Sequence, residues 1–387
     1  MTAKKIINKQ LQNATRNFKI LWVRQERAVK KVIKWIIKNK TCIVQKMYNK
    51  EYTMRVNKFR ESISNHLWNI NLQPIVEQKA ERLIKKANGY KEWNILAGDA
   101  SDIFKPNAYK MEKIGRIRDW SSWLLWNWYI MYWININWIT HQLEIKDNSI
   151  EYIWSELRED MLKKSAKVVD PKKTIAVFDR GHDNIDFIDM LNDNKYKYVI
   201  RWKKNRIVKL CENWKNIKVS ELSVWKYNVK LEQWTYAYLY IIKSKKNKNP
   251  IILYSNIDFE INEESLEIYK KRRKVEEDYK KHKEFWLEEV RLMSFNKIQN
   301  IVRLVQFIIM IWQSIYNDIM NRLLIIPQKL FIYYKIYCKK MCLTFNPMSM
   351  LSFISENIWD FKIYKSSDIP QNTIFWNRWR MKKVGLI

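Results

Sequence analysis

Residues 171–201 read PKKTIAVFDRGHDNIDFIDMLNDNKYKYVIR. The run TIAVF at 174–178 is apolar apart from its first residue, of strand length, and stops at an acid, Asp179. Residues 185–191 then carry apolar side chains at helical spacing, and 198–201 return to a strand-like run. Strand, helix and strand in about thirty residues predict an α/β fold. Working outward, NILAGD at 94–99 is a second apolar run ending in acid, at Asp99. Residues 129–137 and 139–145 read as two strands of a hairpin, and 149–168 as a helix capped by Ser149, with Glu151 in its first turn and Ile153, Leu157 and Leu162 inside. Short alternating runs such as VKLEQ and TYAYLYIIK mark 206–248 as a small β-rich insertion. A buried strand at 251–254, a charged helix at 263–285 and an apolar helix at 296–320 follow.

The charge is distributed unevenly. The 387 residues carry 72 Lys and Arg against 40 Asp and Glu, a net +32, which argues for a polyanionic partner. Residues 1–90 hold 21 Lys and Arg against 5 Asp and Glu, half of that excess, on a pattern that reads as helices, with Val29, Val32, Ile33, Ile36 and Ile37 on one face. A solvated bundle with long cationic side chains would look the same, but the excess favours DNA phosphates. With 47% hydrophobic residues the chain is not disordered as a whole, and four cysteines are no disulfide framework but fit a reducing compartment. The opening MTAKKIINKQLQNATRNFK lacks the apolar core of a signal peptide, and the run 301–312 is broken by Arg303 and Gln306 and too short to span a bilayer. The expected organisation is a basic helical region at 1–90, an α/β core at 91–205 and 249–325 interrupted by the insertion at 206–248, and a C-terminal region at 326–387 whose role, dimerisation included, stays open.

There are 5 Gly and 20 Trp, an inversion of ordinary usage. Six Trp fall between Trp120 and Trp138, and Asp-Trp and Asn-Trp recur where turns carry Asp-Gly or Asn-Gly. Read with glycine for tryptophan, residues 119–128 become DGSSGLLGNG, which is hairpin chemistry. We therefore expect that many of these positions, Trp120 and Trp128 among them, are UGA codons that the source organism reads as glycine. A chain truly rich in tryptophan remains the alternative, and suits Trp22 or Trp35 packing on an N-terminal helix.

Phosphodiester chemistry assisted by metal ions needs carboxylates gathered from separate segments. Asp99 and Asp179, at the ends of apolar strands, are placed to converge, although such acids also serve as turn or cap residues. On the helix 263–285, Tyr269, Arg272, Glu276 and Lys283 fall within a stripe of about 60° at 100° per residue. One edge thus offers a carboxylate beside groups that grip phosphate. A solvated face with ordinary Arg272–Glu276 pairing is the plainer alternative.

The spacing Tyr269-x2-Arg272-x3-Glu276-x6-Lys283 resembles the signature of bacterial insertion-sequence DDE transposases of the YREK group. Asp99-Ala100-Ser101 is similar to that family's first Asp motif, and VFDRGHDN, with Asp179, to its second. The resemblance covers roughly 90–325 and extends to the helical N-terminus. It implies a ribonuclease-H-like mixed-sheet catalytic core with a β-rich insertion, plus an all-helical N-terminal DNA-binding region. It further implies that Asp99, Asp179 and Glu276 are catalytic and hold two Mg²⁺ (or Mn²⁺) ions. Tyr269, Arg272 and Lys283 would hold the DNA backbone, and 1–90 would read the terminal inverted repeats. The implied activity is cleavage of the element's ends and joining of the 3′-OH ends to target DNA, by at least a dimer, in the cytoplasm at the nucleoid and without a membrane. A DNA-binding relic and a metal-dependent nuclease that cannot join strands are the rival readings.

Other residues stay secondary. Asp102 rivals Asp99, whose strand-end position is preferred. Trp286 stands where the family's run carries glycine. His182 is expected in a loop or holding a ligand in place, His282 solvated off the stripe. Cys338 and Cys342, with no His or second pair nearby, are expected as buried thiols and not a zinc site. The basic run RWKKNR at 201–206 is a solvated loop or a phosphate contact. The apolar helix 296–320 is expected to pack behind Glu276.

Overall fold

The computed structural model describes residues 18, 21, 23–39, 41–43, 66, 68–87, 92–105, 108, 110–118, 125–137, 139–145, 154–231, 236–243, 250–285 and 287–322. The chain forms two compact units, Met1–Asn71 with Phe307–Ile387, and Leu72–Gln306. In the first, helix α1 (Val23–Asn39) buries Val29, Val32, Ile33 and Ile36 at helical spacing, and Phe18 meets Phe307 edge-on with centroids 4.7 Å apart. Helix α2 (Gln73–Ile84), which the charge pattern groups with the basic N-terminal stretch, belongs to the larger unit and packs against strand β4. Residues 326–387, with Cys338 and Cys342, lie outside the described residues.

The larger unit is built on an 11-stranded sheet. Its first strands are β1 (Asn94–Phe104), β2 (Gly115–Arg118), β3 (Leu125–Ile136) and β4 (Ile139–Ile145). After α3 (Trp154–Ala166) come β5 (Thr174–Phe178), α4 (Ile185–Asp193) and β6 (Lys197–Arg201). Strand β3 pairs antiparallel with β1, β2 and β4, whereas β1, β5 and β6 lie side by side and parallel. Parallel strands are buried on both faces, and TIAVF is buried at every residue. Ile175 and Val177 point to one side, into a cluster with Ile95, Val199, Tyr240, Leu253 and Ile268, where each fully buried aliphatic side chain contributes roughly 1.5–3 kcal/mol. Phe178, on the opposite side, meets Phe187 of α4 with centroids 5.0 Å apart. On that side α3 comes so close to β1 that a Cβ on Gly98 would lie 2.6 Å from Met161 Sδ.

The helix expected over 149–168 is described over Trp154–Ala166, and Ser149 lies outside the described residues. The segment 206–248 is strand-rich, with β7 (Ile207–Leu210), β8 (Asn216–Lys218), β9 (Lys226–Lys230) and β10 (Tyr236–Ile242), but it does not form a sheet of its own. Strand β11 (Ile251–Ser255) pairs antiparallel with both β6 and β10, so the added strands extend the one sheet. The charged helix over 263–285 is two helices, α5 (Asn262–Lys270) and α6 (Arg273–Lys283). At their junction Lys271 and Arg272 bond to carbonyls three residues back, a tightened turn between the two helices. Helix α5 packs on β5, β6 and β10, and α6 on β1 and β3. A single straight helix would not follow both regions of a twisted sheet. Helix α7 (Phe295–Arg322) completes the described residues, and none of the described helices is long and apolar enough to cross a membrane.

Two hairpins bear on the tryptophan anomaly. Ile136 pairs with Ile139, and Asn137, which follows Ile136, holds a left-handed φ of 48°. Tight hairpin loops favour Asn-Gly. Between β7 and β8, Trp214 itself holds φ 56° and is 53% exposed, a left-handed turn position where glycine is the unstrained residue.

Candidate active site

Parallel register brings the two aspartates together. Asn94 pairs with Thr174 and Ala97 with Val177, so Asp99 and Asp179 stand two residues further along their neighbouring strands. Asp99 is not at a strand end as expected. Strand β1 continues to Phe104 because β3 pairs with it along its length, opposing Asp99 to Trp133. Strand β5 does stop, and Asp179 turns into a short 3₁₀ helix (Arg180–His182) by accepting the Gly181 N–H at 2.8 Å. The same oxygen, Oδ1, lies 3.0 Å from His182 Nδ1. Asp99 Oδ1 accepts from the Ala100 N–H at 2.9 Å.

The third carboxylate arrives through Arg272. Its guanidinium donates to Asp99 Oδ2 at 3.2 Å and to Glu276 Oε1, joining the first turn of α6 to β1. Its Cζ lies 5.9 Å from the Tyr269 ring centroid, and its buried Nε has no hydrogen bond among the described residues. Lys283, at the end of α6, pairs with Glu288 at 3.2 Å. The expected stripe is therefore divided: Tyr269 ends α5, Arg272 lies in the junction, and Glu276 and Lys283 belong to α6. Among the described residues no group of three or more His, Cys, Asp or Glu side chains could hold a metal ion as it stands. The carboxylates form the neighbouring pair Asp99 and Asp179, with Glu276 tied in by Arg272.

The two aspartates differ in electrostatic character. Burial, then the negative charge of Asp179, pushes the Asp99 carboxyl up to about 6, against the pull of His182, Arg272 and the Ala100 N–H. Burial acts on Asp179 as well, but the hydrogen bonds from His182 and Gly181 and the charge of Arg272 outweigh it and hold that carboxyl at about 2. One acid is thus fully ionised near neutrality, while its neighbour titrates within reach of it.

Several neighbours were not legible beforehand. Tyr132 on β3 reaches His182 Nε2 with its hydroxyl at 3.0 Å, and Arg158 on α3 donates to the Gly181 carbonyl at 3.3 Å. His282 is buried, not solvated; its ring lies 4.2 Å from that of Trp133 and its Nδ1 is 2.7 Å from the Asp278 carbonyl. In the basic run, Arg206 is bound to Asp183 at 3.1 and 3.3 Å. Asp102 opposes Ile130 in the register, while Trp286 and Trp120 lie outside the described residues.

Residues 155–311 match the family model described as the transposase DDE domain, a span that holds Asp179 and Glu276 and begins after Asp99. No curated protein matches the chain. Among solved structures it is similar to the piggyBac transposase of a synaptic complex with hairpin DNA, at 12% identity and a TM-score of 0.43, covering 92% of this chain and 75% of that one.

Proposed function

We propose that the protein is a DNA transposase that cleaves the ends of its own insertion element and joins the freed 3′-OH ends to target DNA. The observation that carries this is the convergence of Asp99 and Asp179 by strand register, with Glu276 brought to Asp99 through Arg272. A transposase DDE domain match over the residues that supply two of the three acids supports it. The core is read as ribonuclease-H-like on the strength of three adjacent parallel strands with antiparallel β3 beside β1, one acid on β1 and the other directly after β5.

Two Mg²⁺ (or Mn²⁺) ions belong to this reading, and the donor set fits them. Carboxylate oxygens are the ligands such hard cations take, and the upward displacement of Asp99 by burial and by Asp179 is what a nearby cation would relieve. Asp99, Asp179 and Glu276 would hold the ions, which when bound supply Lewis-acid polarisation of the phosphodiester and activation of the attacking oxygen. Around them the chain's own residues position the DNA. Arg272, with a fork of donors suited to phosphate, and Tyr269 beside it would grip the backbone next to the cut, with Lys283 further along α6. The positive charge of residues 1–90 would bind the terminal inverted repeats, and paired ends would call for a homodimer on DNA, in the cytoplasm at the nucleoid. Both steps are in-line displacements at phosphorus without a covalent enzyme intermediate.

The test uses DNA carrying the ends that flank the gene, incubated with the protein and Mg²⁺ or Mn²⁺, against Glu276→Gln. Specific 3′-OH ends and joined products that vanish in the variant are expected. Cutting without joining would make the protein a nuclease, and end binding without any cutting a DNA-binding relic.

A further inference from the structure

We propose that His182 and Tyr132 are positioning residues that fix which oxygen of Asp179 faces the reaction centre. This rests on the transposase reading of the site. His182 is the buried link of a three-member chain: its Nε2 lies 3.0 Å from the Tyr132 hydroxyl and its Nδ1 3.0 Å from Asp179 Oδ1. A carboxylate only accepts, so the imidazole donates to Asp179 from Nδ1, and the neutral ring then accepts at Nε2 from the hydroxyl of Tyr132, which is 2% exposed. The Gly181 N–H donates to the same oxygen at 2.8 Å. Among the described residues both donors go to Oδ1 and none to Oδ2, so the carboxylate is held with Oδ2 as its open acceptor.

The chain is rigid because each member is packed. The His182 ring lies 4.7 Å from that of Phe178 and 5.6 Å from that of Phe187. Arg158 stacks over Phe187 at 5.3 Å and holds the Gly181 carbonyl, closing the turn from α3. Tyr132 sits on β3, which pairs with β1, so the strand bearing Asp99 and the turn bearing Asp179 are tied through one imidazole. Partners that orient a ligating carboxylate in this way typically change metal affinity when removed.

The experiment measures Mn²⁺ uptake by the full chain, from the loss of the free-ion paramagnetic resonance signal, with circular dichroism as the check on folding. His182→Phe keeps an aromatic ring but no donor, and Mn²⁺ binding is expected to weaken roughly 10–100-fold. His182→Asn places an amide N–H near the position of Nδ1 and is expected to restore most of the affinity. Tyr132→Phe frees the tautomer and should fall between them. Unchanged binding in His182→Phe, with binding lost in Asp99→Asn, overturns the positioning role alone. Equal losses in His182→Phe and His182→Asn reduce the histidine to packing and overturn it too. No Mn²⁺ uptake by the unaltered protein overturns both this proposal and the metal-assisted reading.

Discussion

Replacing Asp99 by asparagine should stabilise the folded protein above neutral pH while removing its proposed activity. The Asp99 side chain is 24% exposed and its carboxyl is displaced from the ordinary 3.8 to about 6, first by burial and then by Asp179. Between those two values the native protein holds a proton that the unfolded chain has released. Stability contributed by this group is therefore complete below about pH 4, declines as pH rises, and is gone above about pH 6. The gap corresponds to about 3 kcal/mol, the free energy spent in keeping Asp99 ionised in the fold at pH 7.5. Asparagine avoids that ionisation and can still meet the Ala100 N–H with its carbonyl.

Urea unfolding followed by circular dichroism, at pH 4 and at pH 7.5, measures the effect. Asp99→Asn should match the unaltered protein at pH 4 and exceed it by up to about 3 kcal/mol at pH 7.5. Asp179→Asn should be less stable than the unaltered protein at both pH values. Its carboxyl lies at about 2, so its stabilisation is present above 3.8 and is lost as pH falls through 2. Because its side chain is 36% exposed and solvent screens the interaction, the loss at pH 7.5 should stay below about 2 kcal/mol. An Asp99→Asn protein less stable than the original at pH 7.5, or a gain equal at both pH values, would refute the reasoning.

Lys105, 4% exposed, donates at 2.7 Å to each of the carbonyls of Leu287, Glu288 and Val290, and so fastens the end of β1 to the segment that follows α6. Lys105→Met leaves those carbonyls without their charged donor, and urea unfolding should show a loss of about 3 kcal/mol or more. Trp214→Gly should be at least as stable as the original: it relieves roughly 1–2 kcal/mol of left-handed strain and forfeits exposed cation–π contacts to Lys209 and Lys230. Trp214→Ala, which loses the contacts and keeps the strain, should be the less stable of the two, and peptide mass spectrometry of protein from its source cell should find glycine at 214.

The α/β class was legible because TIAVF and the helix after it bury one continuous apolar run and one amphipathic stripe, each a local property. The hairpin of β3 and β4 was legible for the same reason. What escaped depends on partners far away in sequence. Strand β1 runs past Asp99 because β3 offers hydrogen bonds beyond the point where β5 ends, and nothing in residues 100–104 announces that. The break between α5 and α6 carries neither Gly nor Pro; it follows from Ile268 packing over Ile175 and Val177 while α6 turns to β1 and β3. In the site, Asp99, Asp179, Arg272 and Glu276 could be picked out by residue type and spacing. Tyr132 could not, since its tie to His182 spans 50 residues and is made by sheet pairing.

The tryptophans show how far residue identity and backbone can be separated. At Trp214 the backbone asks for glycine, and Asn137, between the paired Ile136 and Ile139, holds the left-handed angle that Asn takes in Asn-Gly turns. Trp133 and Trp202 are buried with indole N–H groups that find no hydrogen bond among the described residues, which costs roughly 1–3 kcal/mol apiece. Trp35 and Trp68 are buried too, at 9% and 7% exposure. Recoding is therefore a question for each position, decided by backbone angle and by the fate of the indole nitrogen. It reaches the chemistry at Trp133, which faces Asp99 across the β1–β3 ladder. An indole there excludes water beside the carboxylate, whereas glycine would admit it and weaken the burial that raises Asp99. The identity of one residue opposite the first aspartate thus tunes both the stability difference in Asp99→Asn and the readiness of that carboxylate to accept a cation.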